Sequence, residues 1–172
     1  MHVIVDTNVA IVANMKSEQA SLMCALACIE RLEKLIEMET DTLVIDDLWC
    51  ILSEYENYLQ SSGQPGVGDR FYQWVLRNRE NVAHVIRVSI TPTDPAKTDF
   101  AEFPSNESLA KFNKSDRMFV AVSLMHPDHP PILNAVDTDW AEFKIALQAH
   151  GVESESLCPD DLQRMMTTKQ TR

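Results

Sequence analysis

The chain has 172 residues, 45% of them hydrophobic and 24% charged, and its 15 basic against 26 acidic side chains leave a formal net charge of −11. That length and balance suit a single globular domain over residues 1–172 and leave little room for a second core. No apolar run reaches bilayer length and no basic leader precedes Val3-Ile4-Val5, so a cytoplasmic protein with no membrane partner is expected, and the acidic balance argues against a binder that grips nucleic acid through an overall basic surface.

In chain order, the β-branched run His2–Val5 predicts a first buried strand. Leu22, Ala25, Leu26, Ile29, Leu32 and Ile36 recur at helical spacing and predict a helix over residues 17–38. Leu43-Val44-Ile45 predicts a second strand, after which Asp46 or Asp47 can cap a helix bearing Leu48, Ile51, Leu52, Tyr55 and Leu59 on one side. In that helix Glu54, seven residues after Asp47, is expected to share its face. Ser61-Ser62-Gly63-Gln64-Pro65-Gly66 is a breaker cluster. A helix over residues 69–81 and a strand over 84–88 follow. Residues 91–113, with Pro92, Pro95 and Pro104, read as a long irregular loop, functional or poorly ordered. Ser115 is placed to cap a helix through residue 124, and Pro130-Pro131 introduces a strand over 132–136. A helix over 138–149, a last strand over 152–157, a short helix opened by Pro159 and a tail from about residue 167 complete the chain.

Strands joined through helices imply a parallel sheet covered on both faces, a three-layer α/β/α sandwich whose crevice lies beyond the carboxyl ends of the strands. Asp6 closes the first strand and Asp137 the fourth, so both face that crevice. Asp116 falls in the first turn of its helix, where a helix dipole favours a carboxylate, and Glu54 falls on the polar side of its own helix. Each acid taken singly has an ordinary structural role, but the set implies a shared cation, because carboxylates confined together raise one another's pKa. Oxygen-only ligands favour Mg²⁺ or Mn²⁺.

Cys24, Cys28, Cys50 and Cys158 show no paired metal-knuckle spacing and are expected to be buried reduced thiols. His126 and His129 sit in a proline-rich turn without an obvious third ligand in sequence. Lys114 and Arg117 flank Asp116 and are candidates for RNA phosphates, with Arg70, Arg77 and Arg79 extending the track. Phe100, Phe103 and Phe112 either stack on unpaired bases or pin the loop, the second being favoured.

Ile4-Val5-Asp6-Thr7-Asn8-Val9, Ile51-Leu52-Ser53-Glu54-Tyr55, residues 115–121 and Asn134-Ala135-Val136-Asp137-Thr138-Asp139-Trp140 resemble, in order and spacing, the motifs of the PIN-domain nucleases. The closing Leu157-Cys158-Pro159-Asp160-Asp161-Leu162 is similar to that family's last strand and helix. The resemblance implies a PIN-like fold and a Mg²⁺- or Mn²⁺-dependent endoribonuclease, of the kind found as VapC-like toxins, with an RNA substrate and an antitoxin or a second copy of the chain as partners. It matches Asp6, Glu54, Asp116 and Asp137 to the catalytic acids, Asp139 to a fifth acid and Asn8 to the small polar residue beside the first. Asp6, Asp116, Asp137 and Asp139 are the metal-ligand candidates, and Asn134-Ala135-Val136 in place of a Thr-Gly leaves the choice between Asp137 and Asp139 open. The alternative is a catalytically silent module of the same fold that binds a basic partner through its acidic surface.

Overall fold

Four short apolar or β-branched segments and one polar edge segment are the strands in this computed structural model, which describes residues 1–37 and 41–170: β1 (His2–Val5), β2 (Thr42–Asp46), β3 (Val85–Val88), β4 (Ile132–Asn134) and the polar β5 (Ser154–Ser156). All pair in parallel in the order β3-β2-β1-β4-β5, with Val3 opposite Leu43 and Ile4 opposite Ile132. Parallel neighbours need crossover connections, which cover both sheet faces. That is why Val3, Ile4 and Val5 in β1 and Leu43, Val44 and Ile45 in β2 are wholly buried without alternation.

The crossovers contain α1 (Thr7–Ala13), α2 (Leu22–Glu37), α3 (Cys50–Tyr58), α4 (Val67–Asn78), α5 (Arg117–Met125), α6 (Asp139–Glu142) and α7 (Lys144–Gln148), and α8 (Pro159–Gln170) follows the last strand. Helices α1, α2 and α4 pack together, while α5 lies against β2 and β4. The result is the expected α/β/α sandwich around one hydrophobic cluster. No helix among the described residues is long and apolar enough to cross a membrane.

Several expected boundaries move, each for a local reason. Helix α1 begins at once after Asp6, which caps it, and the chain then breaks at Met15 (φ 58°) before α2 starts at Leu22. Periodicity analysis missed so short a helix because seven residues give fewer than two full repeats. The end expected for α2 at residue 38 lies outside the described residues. Asp46 caps α3 from a distance, its carboxylate accepting from the N–H groups of Cys50 (2.7 Å) and Ile51 (2.9 Å). Asp47 therefore precedes α3 and shares no helical face with Glu54. Before α5 a 3-10 turn spans Lys114–Asp116, and Asn113, not Ser115, caps it by accepting from the Ser115 N–H (3.2 Å). Strand β4 stops at Asn134, and the expected tail is helical to Gln170.

The cysteines need a correction. Cys24 and Cys158 form a disulfide across a sequence separation of 134, because the buried face of α2 meets the chain just before α8. Such a separation leaves no signature in spacing. Cys28 and Cys50 are free and buried, and desolvation pushes both thiols up to about 12.

The loop over residues 91–113 is ordered. Pro92 and Phe100 form an antiparallel bridge, Asp94 accepts from the Thr98 and Asp99 N–H groups, and a 3-10 turn spans Glu107–Leu109. Phe100, Phe103 and Phe112 are buried, and Phe112 meets Trp140 and Phe143 edge-on at 5.2 and 5.5 Å, so these rings pin the loop to the body.

Where α4 crosses α1, Gly68 lies directly against the backbone carbonyl of Ala10, in space that any side chain would fill. Gly68→Ala is expected to destabilise the protein by about 1–3 kcal/mol, the usual cost of overpacking, despite alanine's better helix propensity; urea denaturation measures it.

Candidate metal centre

The centre is assembled at the carboxyl ends of two adjacent strands. Asp6 continues the pairing of β1 with β4, its N–H donating to the Leu133 carbonyl (3.0 Å). Its two carboxylate oxygens accept from the Asn8 N–H (2.9 Å) and from the Trp140 indole N–H (2.6 Å). Across the strand ends, the Asn8 amide donates to Asn134 Oδ1 (3.0 Å) and accepts from the Ala135 N–H (2.7 Å). The Asn134 side chain in turn accepts from the Asp137 N–H (3.1 Å) and donates to the Asp137 carbonyl (2.9 Å). Two asparagines thus fix the turn that carries Asp137. Beneath them the Tyr55 hydroxyl donates to the Val5 carbonyl (2.5 Å), tying α3 to the end of β1.

The turn over Lys114–Asp116 brings the third acid in from the opposite side. Asp6, Asp116 and Asp137 each offer a carboxylate oxygen within 4.8 Å of the others. Asp6 and Asp116 are only 3% and 7% exposed, so their charges are poorly solvated. Desolvation first, then the charges of Asp137 and Glu54, push Asp6 up to about 7 against the hydrogen bonds from Asn8 and Trp140. Desolvation and the charges of Asp6, Asp137 and Asp139 push Asp116 up to about 9. Asp137 is also raised, chiefly by burial.

Asp116 Oδ2 is buried and accepts no hydrogen bond. A buried acceptor without a partner, on a carboxylate beside two others, fits a divalent cation, since a cation would satisfy the oxygen and offset the repulsion together. The donor set is all oxygen and anionic, which suits Mg²⁺ or Mn²⁺.

Glu54 and Asp139 stand outside that triad. Glu54 is half-buried on α3 and its pKa is raised by desolvation. It lines a cleft of about 260 Å³ together with Ser115, Lys97 and Lys114, and both lysines are exposed. Asp139 donates its backbone N–H to Asp137 Oδ1 (2.9 Å), while its carboxylate lies 3.9 Å from Lys169 Nζ. Lys169, which also pairs with Glu142 (2.5 Å), partly offsets the negative charge around Asp137. Between the two acids left open by the sequence, Asp137 is the one that joins Asp6 and Asp116.

The basic residues distribute differently from expectation. Arg117 is buried: its guanidinium pairs with Asp99 (2.9 Å), donates to the Ala110 carbonyl (3.3 Å) and lies 4.5 Å from the centroid of the Phe103 ring. It anchors the loop and is not on the rim, because the loop's open carbonyls and Asp99 surround it. Arg70 pairs with Glu33 and Glu37 of α2. Arg77 is exposed and donates to the Gln73 carbonyl one turn back. Arg79 and Arg87 flank the Trp49 ring at 5.4 and 5.2 Å. Of the five cations expected at RNA, Lys114 alone borders the cleft beside Glu54.

Four contributors escaped the sequence reading: the indole of Trp140 as a donor to Asp6, Asn134 as the clasp of the Asp137 turn, Lys97 and Lys169. Only Asn134 carried a usable signal, a polar residue closing a wholly apolar strand. His126 does find company, with His2 and Asp128, at the opposite ends of the strands. No family model, curated protein or solved structure matches the chain significantly.

A carboxyl whose folded pKa lies above its unfolded value holds its proton longer in the native state. Its stabilising contribution is therefore complete below the unfolded pKa and lost as pH rises through the folded one. For Asp116 that window runs from 3.8 to about 9. Metal-free protein is expected to lose thermal stability between pH 5 and pH 9, and Asp116→Asn to flatten that decline. A melting series in chelator at several pH values reads both.

Proposed function

We propose that the chain is a Mg²⁺- or Mn²⁺-dependent endoribonuclease of the PIN type, hydrolysing phosphodiester bonds of RNA. The observation that carries this reading is the convergence of Asp6, Asp116 and Asp137, one carboxylate oxygen of each within 4.8 Å of the others, together with the unpartnered Asp116 Oδ2. Asp6, Asp116 and Asp137 would hold the cation, which when bound supplies Lewis-acid stabilisation of phosphoryl charge and makes water more acidic.

The chain's own residues account for the remaining tasks. Glu54, half-buried beside the cleft with a pKa raised by desolvation, is placed to accept a proton from attacking water. Lys114 and Lys97 border the same cleft and offer ammonium groups to the substrate's phosphates, local charges that a net of −11 conceals. Trp140 and Asn8 orient Asp6 through their hydrogen bonds, and Asn134 orients the Asp137 turn. Asp139 buttresses Asp137 through its backbone N–H and brings Lys169 nearby.

The toxin reading has support in exposed apolar side chains. Met15, Leu22 and Met23 are 61%, 63% and 74% exposed, on the segment following β1 where an antitoxin or a second copy would dock. A silent interaction module or a purely structural cation site shares the fold and the acids, and differs in predicting stabilisation by metal without turnover.

Asp6→Asn and Asp116→Asn are each expected to abolish Mn²⁺-dependent cleavage of single-stranded RNA while keeping the native circular-dichroism spectrum. Glu54→Gln is expected to lower kcat by about 10²–10⁴-fold, and Lys114→Ala to raise KM with little change in kcat. Full cleavage by Asp116→Asn, or metal-induced stabilisation of wild type with no cleavage of any RNA, would reject the nuclease.

A further inference from the structure

We propose that, once the Cys24–Cys158 disulfide is reduced, Cys24, Cys28 and Cys158 together bind one thiophilic divalent cation, Zn²⁺, at a site that shares no residue with the carboxylate centre. Cys24 and Cys28 are four residues apart and project from one face of α2, and Cys158 meets them from the chain just before α8. Cys28 Sγ lies 3.9 Å from Cys158 Sγ. Two thiolates on one zinc, each with a Zn–S bond of about 2.3 Å, stand about 3.8–4.0 Å apart in tetrahedral or trigonal geometry. That pair is already at ligand spacing. The Cα atoms of Cys24 and Cys158 are 5.0 Å apart, so after reduction rotation about the side chains moves the two sulfurs from bonding to ligand distance.

The surroundings favour an ion over three packed thiols. All three cysteines are at most 4% exposed, and Cys158 immediately precedes the twelve-residue α8, whose N-terminal partial positive charge offsets thiolate charge. A cleft of about 250 Å³ bordered by Cys24, Cys158, Asp160 and Asp161 gives a cation an acidic entry path. Asp161 is already committed to the Ser21 N–H (2.7 Å) and Arg164 (3.0 Å), which leaves the fourth coordination position to water. Sulfur ligands select zinc and carboxylates select Mg²⁺ or Mn²⁺, so the two sites fill independently.

The chemistry balances with a dithiol as reductant. Two electrons and two protons pass from the dithiol to the disulfide, giving Cys24 and Cys158 as thiols and the oxidised dithiol as a cyclic disulfide. Zn²⁺ then forms three Zn–S bonds and releases three thiol protons.

The test uses the full chain, reduced with dithiothreitol, desalted without oxygen and titrated with Co²⁺ in excess Mg²⁺, which occupies the carboxylates. One equivalent of a thiolate-to-Co²⁺ charge-transfer band, a signature that carboxylate ligands do not give, is expected in the near ultraviolet, and Zn²⁺ should displace it. The oxidised protein should show no band, Cys50→Ser should retain it, and Cys28→Ser should weaken Co²⁺ binding at least tenfold. Should Cys28→Ser fail to fold, Cys24→Ser takes its place with the same expected loss. In wild type, Zn²⁺ should protect three of the four thiols from iodoacetamide. Absence of the band in reduced wild type, a band undiminished by loss of Cys28, or no zinc protection overturns the proposal.

Discussion

Mutual repulsion among Asp6, Asp116 and Asp137 is the constraint around which the rest of the molecule is arranged. Three carboxyl groups held within 4.8 Å and largely out of water oppose folding unless protonated or matched by positive charge. The chain nevertheless holds them there with directed hydrogen bonds. Both oxygens of Asp6 are engaged, by Asn8 and by Trp140, and the Asp137 turn is clasped on both sides of its peptide by Asn134. One oxygen of Asp116 is left with nothing. Directed donors thus fix the flanks of the cluster, while its middle holds a buried acceptor that no donor satisfies.

The parallel sheet makes this possible. Because β1 is central and its neighbours lie on both sides, the ends of β1 and β4 open side by side into one crevice. Asp6 and Asn134 stand at those ends as polar residues closing buried runs, and the 3-10 turn that leads into α5 carries Asp116 to them. Tyr55 braces the end of β1 from α3, the helix that also carries Glu54. A set of residues spread over more than 130 positions is thereby gathered at one edge of the core.

The loop over residues 91–113 has a structural job that its composition concealed. Arg117, buried beside Asp116, draws Asp99, the Ala110 carbonyl and the Phe103 ring onto itself, and Phe112 closes the packing against Trp140. Trp140 thus links the loop to Asp6, with its ring in the aromatic cluster and its indole N–H on the carboxylate.

The sequence by itself determined the fold class and the acids. Uninterrupted aliphatic runs can only be strands buried on both faces, and an Asp directly after such a run must face the crevice. Asp6 was legible on that ground, as was Asp137 at the end of an expected strand that in fact stops at Asn134, while Asp116 was legible as an acid in the first turn of its helix. Short helices such as α1, the cap supplied by Asn113 and the end of β4 were not, because they rest on one or two hydrogen bonds and not on a repeating pattern. Only the tertiary structure decided which acids touch, that Asp137 and not Asp139 completes the triad, that Arg117 faces inward, and that Cys24 meets Cys158. The physical reason is common to all four. Periodicity reports which face of its own element a side chain lies on, whereas proximity between elements far apart in the chain is set by how the whole core closes.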